Sequence, residues 1–349
     1  MSRGAILPAS AIRAESPGLW MLAWRRLCRD RVGLTSLAAV ALYCALMLAS
    51  GAGLLAGDWS KEAGVSYAPP AFMGPDAAFP AVEVAHDAAA QPFTEETGIA
   101  DPLAEVLTGI RKELAGASEP DSRATTLAFG GDKWGRDVLK KAVKGTETSM
   151  LVGIVAALLA VVLGTVFGAQ AGYYGGRVDD FFNWLYSVFT SIPYLLLVLA
   201  IAAVLNQKGT LTVILILGLT GWTGIFRLVR AEYMKHKVRE YVLAADAIGA
   251  SGARRMFVHI FPNVSHVVLV QLSLHVVLFI KSEVILSFLG FGVGVDTVSW
   301  GSMLNEAQTE LILGKWWQLV AATAAMAVLV TAFSLFTDAL RDALDPQLK

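Results

Sequence analysis

Charge is scarce in these 349 residues: Asp, Glu, Lys and Arg make up 16% of the chain while 55% is hydrophobic, against roughly a quarter charged in ordinary soluble domains. A water-soluble fold is disfavoured on that ground. Cysteine is scarcer still. Cys28 and Cys44 are the two present, and a helix through both would separate them by about 24 Å, beyond disulfide reach. No Cys/His cluster has zinc spacing. The five histidines, His86, His236, His259, His266 and His275, are dispersed, so no metal site is expected. There is no GxxxxGK[ST] phosphate loop, no HExxH and no GxSxG. An enzyme is therefore not expected, nor is a cofactor. A net charge of −1 without any Lys/Arg block gives nucleic acid nothing to bind.

What the chain does have is six stretches without a single Asp, Glu, Lys or Arg: Val32 to Gly57, Thr148 to Gly176, Phe181 to Gln207, Gly209 to Phe226, Ile260 to Ile280 and Trp316 to Thr337. Each can cross a hydrocarbon core of about 30 Å, which takes about 20 helical residues. None alternates as barrel strands do. Lipid cannot satisfy open backbone groups, so the runs predict an all-α membrane protein of six transmembrane helices. The first run follows Arg25, Arg26, Arg29 and Arg31, but lead and run are both long for a cleaved signal, and a retained first helix at 32–57 is expected.

Charge outside the runs orients them. The lead 1–31 holds six Lys/Arg against two acids, and Arg227 to Pro262 holds seven against three. Phe291 to Lys315 has one Lys and three acids. The positive-inside tendency then puts both termini in the cytoplasm. The connection 58–146 is expected outside. Its first half is rich in Pro, Ala and Gly and reads as an irregular wrap. A helix should follow: Asp101 caps, Pro102 suits the first turn, and Leu103, Val106, Leu107, Ile110 and Leu114 share a face before Gly116. That face packs either on the protein's own outer surface or on a partner.

Inside the runs, Gly164, Gly168 and Gly172 recur every fourth residue and allow close helix approach. Pro193 interrupts the third run and predicts a kink. Among the cytoplasmic residues, Arg239 to Asn263 reads as helix formers through Ile248, a break at Gly249-Ala250-Ser251-Gly252, and a second short helix that Pro262 ends. Such a helix, turn and helix would form a compact knob on the inner face. By spacing alone, a plain loop is an equal alternative.

This segment resembles the EAA loop of ABC importer permeases, with Ala244, Ala245, Gly249 and Pro262 in the motif positions and Leu243 where the family often has Glu. The peptide-permease form HILPN is similar to His259 to Asn263. GDKWGRD (Gly131 to Asp137), AGYYGG (Ala171 to Gly176), SFLGFG (Ser287 to Gly292), SWGSML (Ser299 to Leu304) and RDALDPQLK (Arg341 to Lys349) look like the C-type subunits of the dipeptide/oligopeptide (peptide/nickel) importers. The resemblance implies a type I importer permease with a MetI-like core at 147–340, a coupling loop at 239–263 and a cytoplasmic tail at 341–349, in a bacterial inner membrane. It implies four kinds of contact: a second homologous permease, two ATP-binding subunits, an extracytoplasmic solute-binding protein and the lipid bilayer.

Under that reading Ala244, Ala245, Gly249, Arg254, Arg255 and Pro262 couple to an ATPase, the small residues because the turn must pack closely. Lys281 and Glu283 are the candidates for the solute path. Two positions apart on a helix they should not pair. Glu283 matches a Glu common in the subfamily and is expected to be structural or gating. Lys281 either snorkels to the outer interface or lines the outer mouth and attracts a solute carboxylate. The rival classes are an ion-coupled secondary transporter, for which only Glu283 offers an intramembrane acid, and a membrane scaffold that transports nothing.

Overall fold

The structure is a computed structural model and describes residues 19–75, 106, 109, 123–294 and 296–344. Among these, every regular element is helical: α1 Leu19–Arg29, α2 Arg31–Gly51, α3 Val138–Tyr174, α4 Gly176–Thr190, α5 Tyr194–Leu205, α6 Thr210–Thr220, α7 Thr223–His236, α8 Glu240–Ala247, α9 Phe261–Phe288, α10 Trp300–Ile312 and α11 Trp317–Leu344. Five spans are long and apolar enough to cross a membrane: α2, α3, the pair α6–α7, the helix running from Gly252 to the end of α9, and α11. The pair α4–α5, bent by 81°, makes a sixth if it counts as one span. The all-α membrane fold expected from the charge-free runs is the fold observed.

Element boundaries differ from the runs for local reasons. The first helix stops at Gly51, where Gly53 and Ala56 turn the chain through positive φ. The second starts at Val138, because the Asp137 carboxylate accepts from the Leu139 and Lys140 amides and caps it. At Pro193 the expected kink is a full break. Proline has no amide hydrogen to give and its ring blocks the preceding turn, so α4 closes on Thr190 and α5 restarts at Tyr194. The fourth run continues as helix to His236, well past Phe226.

The described parts of the first connection, 52–75 and 123–137, wrap around each other outside the bundle. Isolated bridges join Glu62 to Arg136, Gly64 to Ala124 and Pro70 to Leu127. The helix expected over Leu103 to Leu114 lies outside the described residues except for Val106 and Gly109, which are helical.

The central helix is α3, and glycine decides how closely α7 approaches it. A Cβ on Gly164, Gly168 or Gly172 would stand 2.7, 2.8 and 2.5 Å from the carbonyl oxygens of Trp222, Phe226 and Arg230 respectively. Both series step by four residues, so two backbones pack directly at three successive levels. Gly153 lets α9 approach in the same way, through Ile280.

Candidate functional site

At the end of the bundle where α3 begins, the GDKWGRD segment folds into a tight turn. The Asp132 carboxylate accepts from the amides of Trp134 (2.8 Å) and Arg136 (3.0 Å). Gly135 has φ +73°, and a Cβ there would lie 1.9 Å from the Gly64 carbonyl oxygen. Trp317 at the start of α11 donates its indole N–H to the Gly131 carbonyl at 2.7 Å. The motif is thus a cap that ties the wrap to the starts of α3 and α11.

Beneath it lies a buried ionic cluster. The Lys141 ammonium, 1% exposed, donates to Asp132 at 2.7 Å, to the Gln318 side-chain oxygen at 3.3 Å and to Glu306, using all three of its protons. Gln318 in turn donates to the Met303 carbonyl and to Glu306. Glu310, one turn beyond Glu306, is as enclosed as Lys141, and neither of its carboxylate oxygens has a hydrogen bond of ordinary geometry. Burial, with Asp132 and Glu306 close by and Lys141 and the Lys133 backbone amide opposing, pushes its carboxyl up to about 7.

Glu283 and Lys281 sit further in on α9 and face different surroundings. The Glu283 carboxylate is wholly enclosed and accepts from Ser149 of α3 (2.8 Å) and from Ser287 (2.7 Å). The Ser149 hydroxyl also accepts from the Trp300 amide, where the SWGSML segment begins. Ser299 and Ser302 cap α10 reciprocally, and Trp300 donates its indole N–H to the Ala142 carbonyl. Glu283 therefore joins α3, α9 and α10 from inside the chain. Lys281 is exposed on the opposite side of α9, in line with exposed Leu274, Leu278, Ile285 and Phe288.

At the opposite end of the bundle, where α3 ends, Arg239 to Asn263 forms a helix, turn and helix. Ala245 is buried, whereas Ala244 and Gly249 are exposed. Gly249 adopts φ +84°, and a Cβ there would meet nothing within 4 Å. Its glycine serves the left-handed turn; close packing within this chain makes no demand there. Ser251 caps the next turn by accepting from the Arg254 amide. Pro262 does not end this second helix. From Arg255 to Ile260 the backbone winds as a π-helix, with the Phe261 amide bonded to the Met256 carbonyl, and Pro262 falls in the first turn of α9, where a missing amide hydrogen costs little.

The knob is braced from below. Arg255 pairs with Asp246 and stacks its guanidinium 5.7 Å from the centre of the Tyr173 ring. Tyr233 donates to the Met256 carbonyl at 3.2 Å. Arg230 forms a bidentate pair with Asp179, linking α7 to the start of α4 just after the AGYYGG turn. Arg254, by contrast, is exposed, and around the turn Leu243, Ile248, Phe257 and Val258 present apolar side chains to the outside.

Sequence reasoning missed the Lys141 cluster and the braces Asp246, Tyr173 and Asp179. One signal was available: Glu306 and Glu310 share a face of the helix that begins with the SWGSML segment, and are the two acids in it.

The described residues thus form a helical bundle long and apolar enough to cross a membrane several times, capped at one end and carrying a protruding apolar knob at the other, an architecture that fits a permease subunit. Residues 160–349 match the family described as "Binding-protein-dependent transport system inner membrane component", and the chain belongs to that family. It is 38% identical over 221 residues to the dipeptide transport system permease protein DppC of Bacillus subtilis, covering 63% of this chain and 69% of that one. It is 35% identical over 236 residues to the oligopeptide transport system permease protein OppC of the same organism, covering 68% and 76%. The glutathione transport system permease protein GsiD of Pectobacterium atrosepticum is 33% identical over 223 residues, 63% of this chain and 73% of that one. The chain is a multi-pass inner-membrane permease subunit of an ATP-driven, binding-protein-dependent importer, similar to the C-type subunits of peptide systems, and is not itself an enzyme.

Proposed function

We propose that this chain pairs with a second, homologous permease to form the membrane path for peptides or related solutes. Two ATP-binding subunits attach beneath the pair, and an extracytoplasmic solute-binding protein delivers the solute above. Both termini are cytoplasmic, 58–146 lies outside, and 239–263 is the coupling loop. Relatives named for dipeptides, oligopeptides and glutathione support a peptide-like solute.

The observation that carries the coupling assignment is the apolar rim of the knob. Leu243, Ile248, Phe257 and Val258 lie exposed around a left-handed Gly249, on a unit braced to α3 by Arg255 on Tyr173 and to α7 by Tyr233 on Met256. An apolar helical surface held rigidly against the spans suits insertion in a groove of an ATPase, where a lever must transmit movement without bending. Arg254 and Pro262 belong to the exposed surface. Ala244 belongs to it as well, while Ala245 packs inward.

Gly249→Asp tests this. Aspartate visits the left-handed region, so the turn should survive, but a charge would enter the contact. In proteoliposomes containing the assembled importer, uptake should fall at least tenfold (~1.4 kcal/mol or more of coupling) at unchanged permease content. Normal uptake would remove the coupling role.

A further inference from the structure

α1 precedes the first span but is not part of it. Asp30 breaks the two helices apart: its backbone is extended, and its carboxylate accepts from the Val32 amide to start α2 afresh. Leu27, 5% exposed, is packed with Ala339, Ala343 and Leu344 in the last turns of α11. The helix is thereby held where one span begins and another ends, which is the level of the membrane surface.

Around α1, three strips follow one another. Next to the anchored Leu27 come Trp24, Cys28 and Met21, at helical spacing and all exposed, Trp24 by 58% and Met21 by 53%. Beyond them come Arg25 and Arg29, one turn apart and exposed, with Arg31 exposed at the junction to α2. The described residues offer these three arginines no ion pair. Arg26 points elsewhere and reaches the Ala343 carbonyl at 3.5 Å.

We propose that α1 is an interfacial helix whose Met21–Trp24–Cys28 strip enters the acyl boundary while Arg25, Arg29 and Arg31 bind the headgroups of anionic phospholipids. An apolar strip flanked by unpaired arginines, with tryptophan at the border, is complementary to a negatively charged leaflet. The anchoring of Leu27 fixes α1 against the end of α11, and α2 opens with exposed Val32 and Leu34. The inference holds whichever solute is carried.

The test uses the full chain with Cys44→Ser, leaving a nitroxide on Cys28, in nanodiscs of phosphatidylcholine alone or mixed with phosphatidylglycerol. With phosphatidylglycerol the label should be reached by oxygen in preference to a water-soluble nickel chelate. In phosphatidylcholine alone, or at high salt, that preference should drop. Arg25→Gln with Arg29→Gln should shift the docked-to-undocked ratio roughly fivefold for each arginine removed. A label open to water in both membranes overturns the proposal. So does a label equally immersed in both lipids and in the double variant, which would mean apolar anchoring without headgroup binding. A label shielded from both reagents would mean that protein, not lipid, covers the strip.

Discussion

Glu310 is the residue whose chemistry the fold alters most among those outside the spans. Its carboxyl stays protonated in the folded chain up to about pH 7, whereas the unfolded group would ionise near 4.5. Between those values the folded state holds the extra proton, so stability is lost as pH rises through the window and stays lost above it. The full difference is on the order of 3 kcal/mol. Glu310→Gln removes the group without changing its size. The gap in thermal stability between variant and wild type should widen in the variant's favour from pH 4.5 to 7 and then level off. A gap independent of pH would mean that the carboxylate is solvated. Lys281 makes a different prediction. It stands exposed beside apolar neighbours on α9, so if it attracts the solute, Lys281→Met should raise the half-saturation concentration for free-carboxylate peptides about tenfold (~1.4 kcal/mol) and for amidated ones little. Equal effects on both would leave it an anchoring residue.

At the scale of elements, glycine has two uses that substitution separates. Gly168 allows α3 to touch α7: a Cβ would lie 2.8 Å from the Phe226 carbonyl oxygen and 3.0 Å from the Arg230 amide, both backbone atoms that cannot turn aside. Gly224, one helix away, would put its Cβ 3.9 Å from the His275 ring, in ordinary contact. Gly168→Ala should therefore cost about 1–3 kcal/mol, the range for overpacking, and Gly168→Leu should abolish folded protein in detergent. Gly224→Ala should be nearly neutral. Fluorescence-detected size exclusion during heating would measure all three. Equal tolerance at both positions would show that α3 and α7 are not packed backbone to backbone.

For the whole molecule, the proposed topology places the outer wrap and the knob on opposite sides of the membrane. In a chain carrying Cys28→Ser and Cys44→Ser, Ser60→Cys should react with an impermeant thiol reagent added outside intact cells. Ser251→Cys should react only from the cytoplasmic side. Both positions are exposed, so silence at either would not come from burial, and the reverse pattern would invert the orientation.

The sequence by itself determined that this is a helical membrane protein. Runs of about twenty charge-free residues leave a bilayer no other solution, and that is a property of composition along the chain. The four-residue glycine spacing in α3 was legible for the same reason, since a helix converts local spacing into a face. The left-handed turn at Gly249 was visible as a break, although its reason, backbone conformation and not crowding, was not. Only the tertiary structure decided the rest. Lys141 and Asp132 meet Glu306 and Gln318 from a stretch of chain 165 or more residues further on, and nothing local brings these groups together in one buried site. Whether Glu283 would line a path or be enclosed by Ser149 and Ser287 depended on which side of α9 meets α3. A sequence records which groups are polar. Burial, which sets the energy of each charge, exists only once the helices have packed.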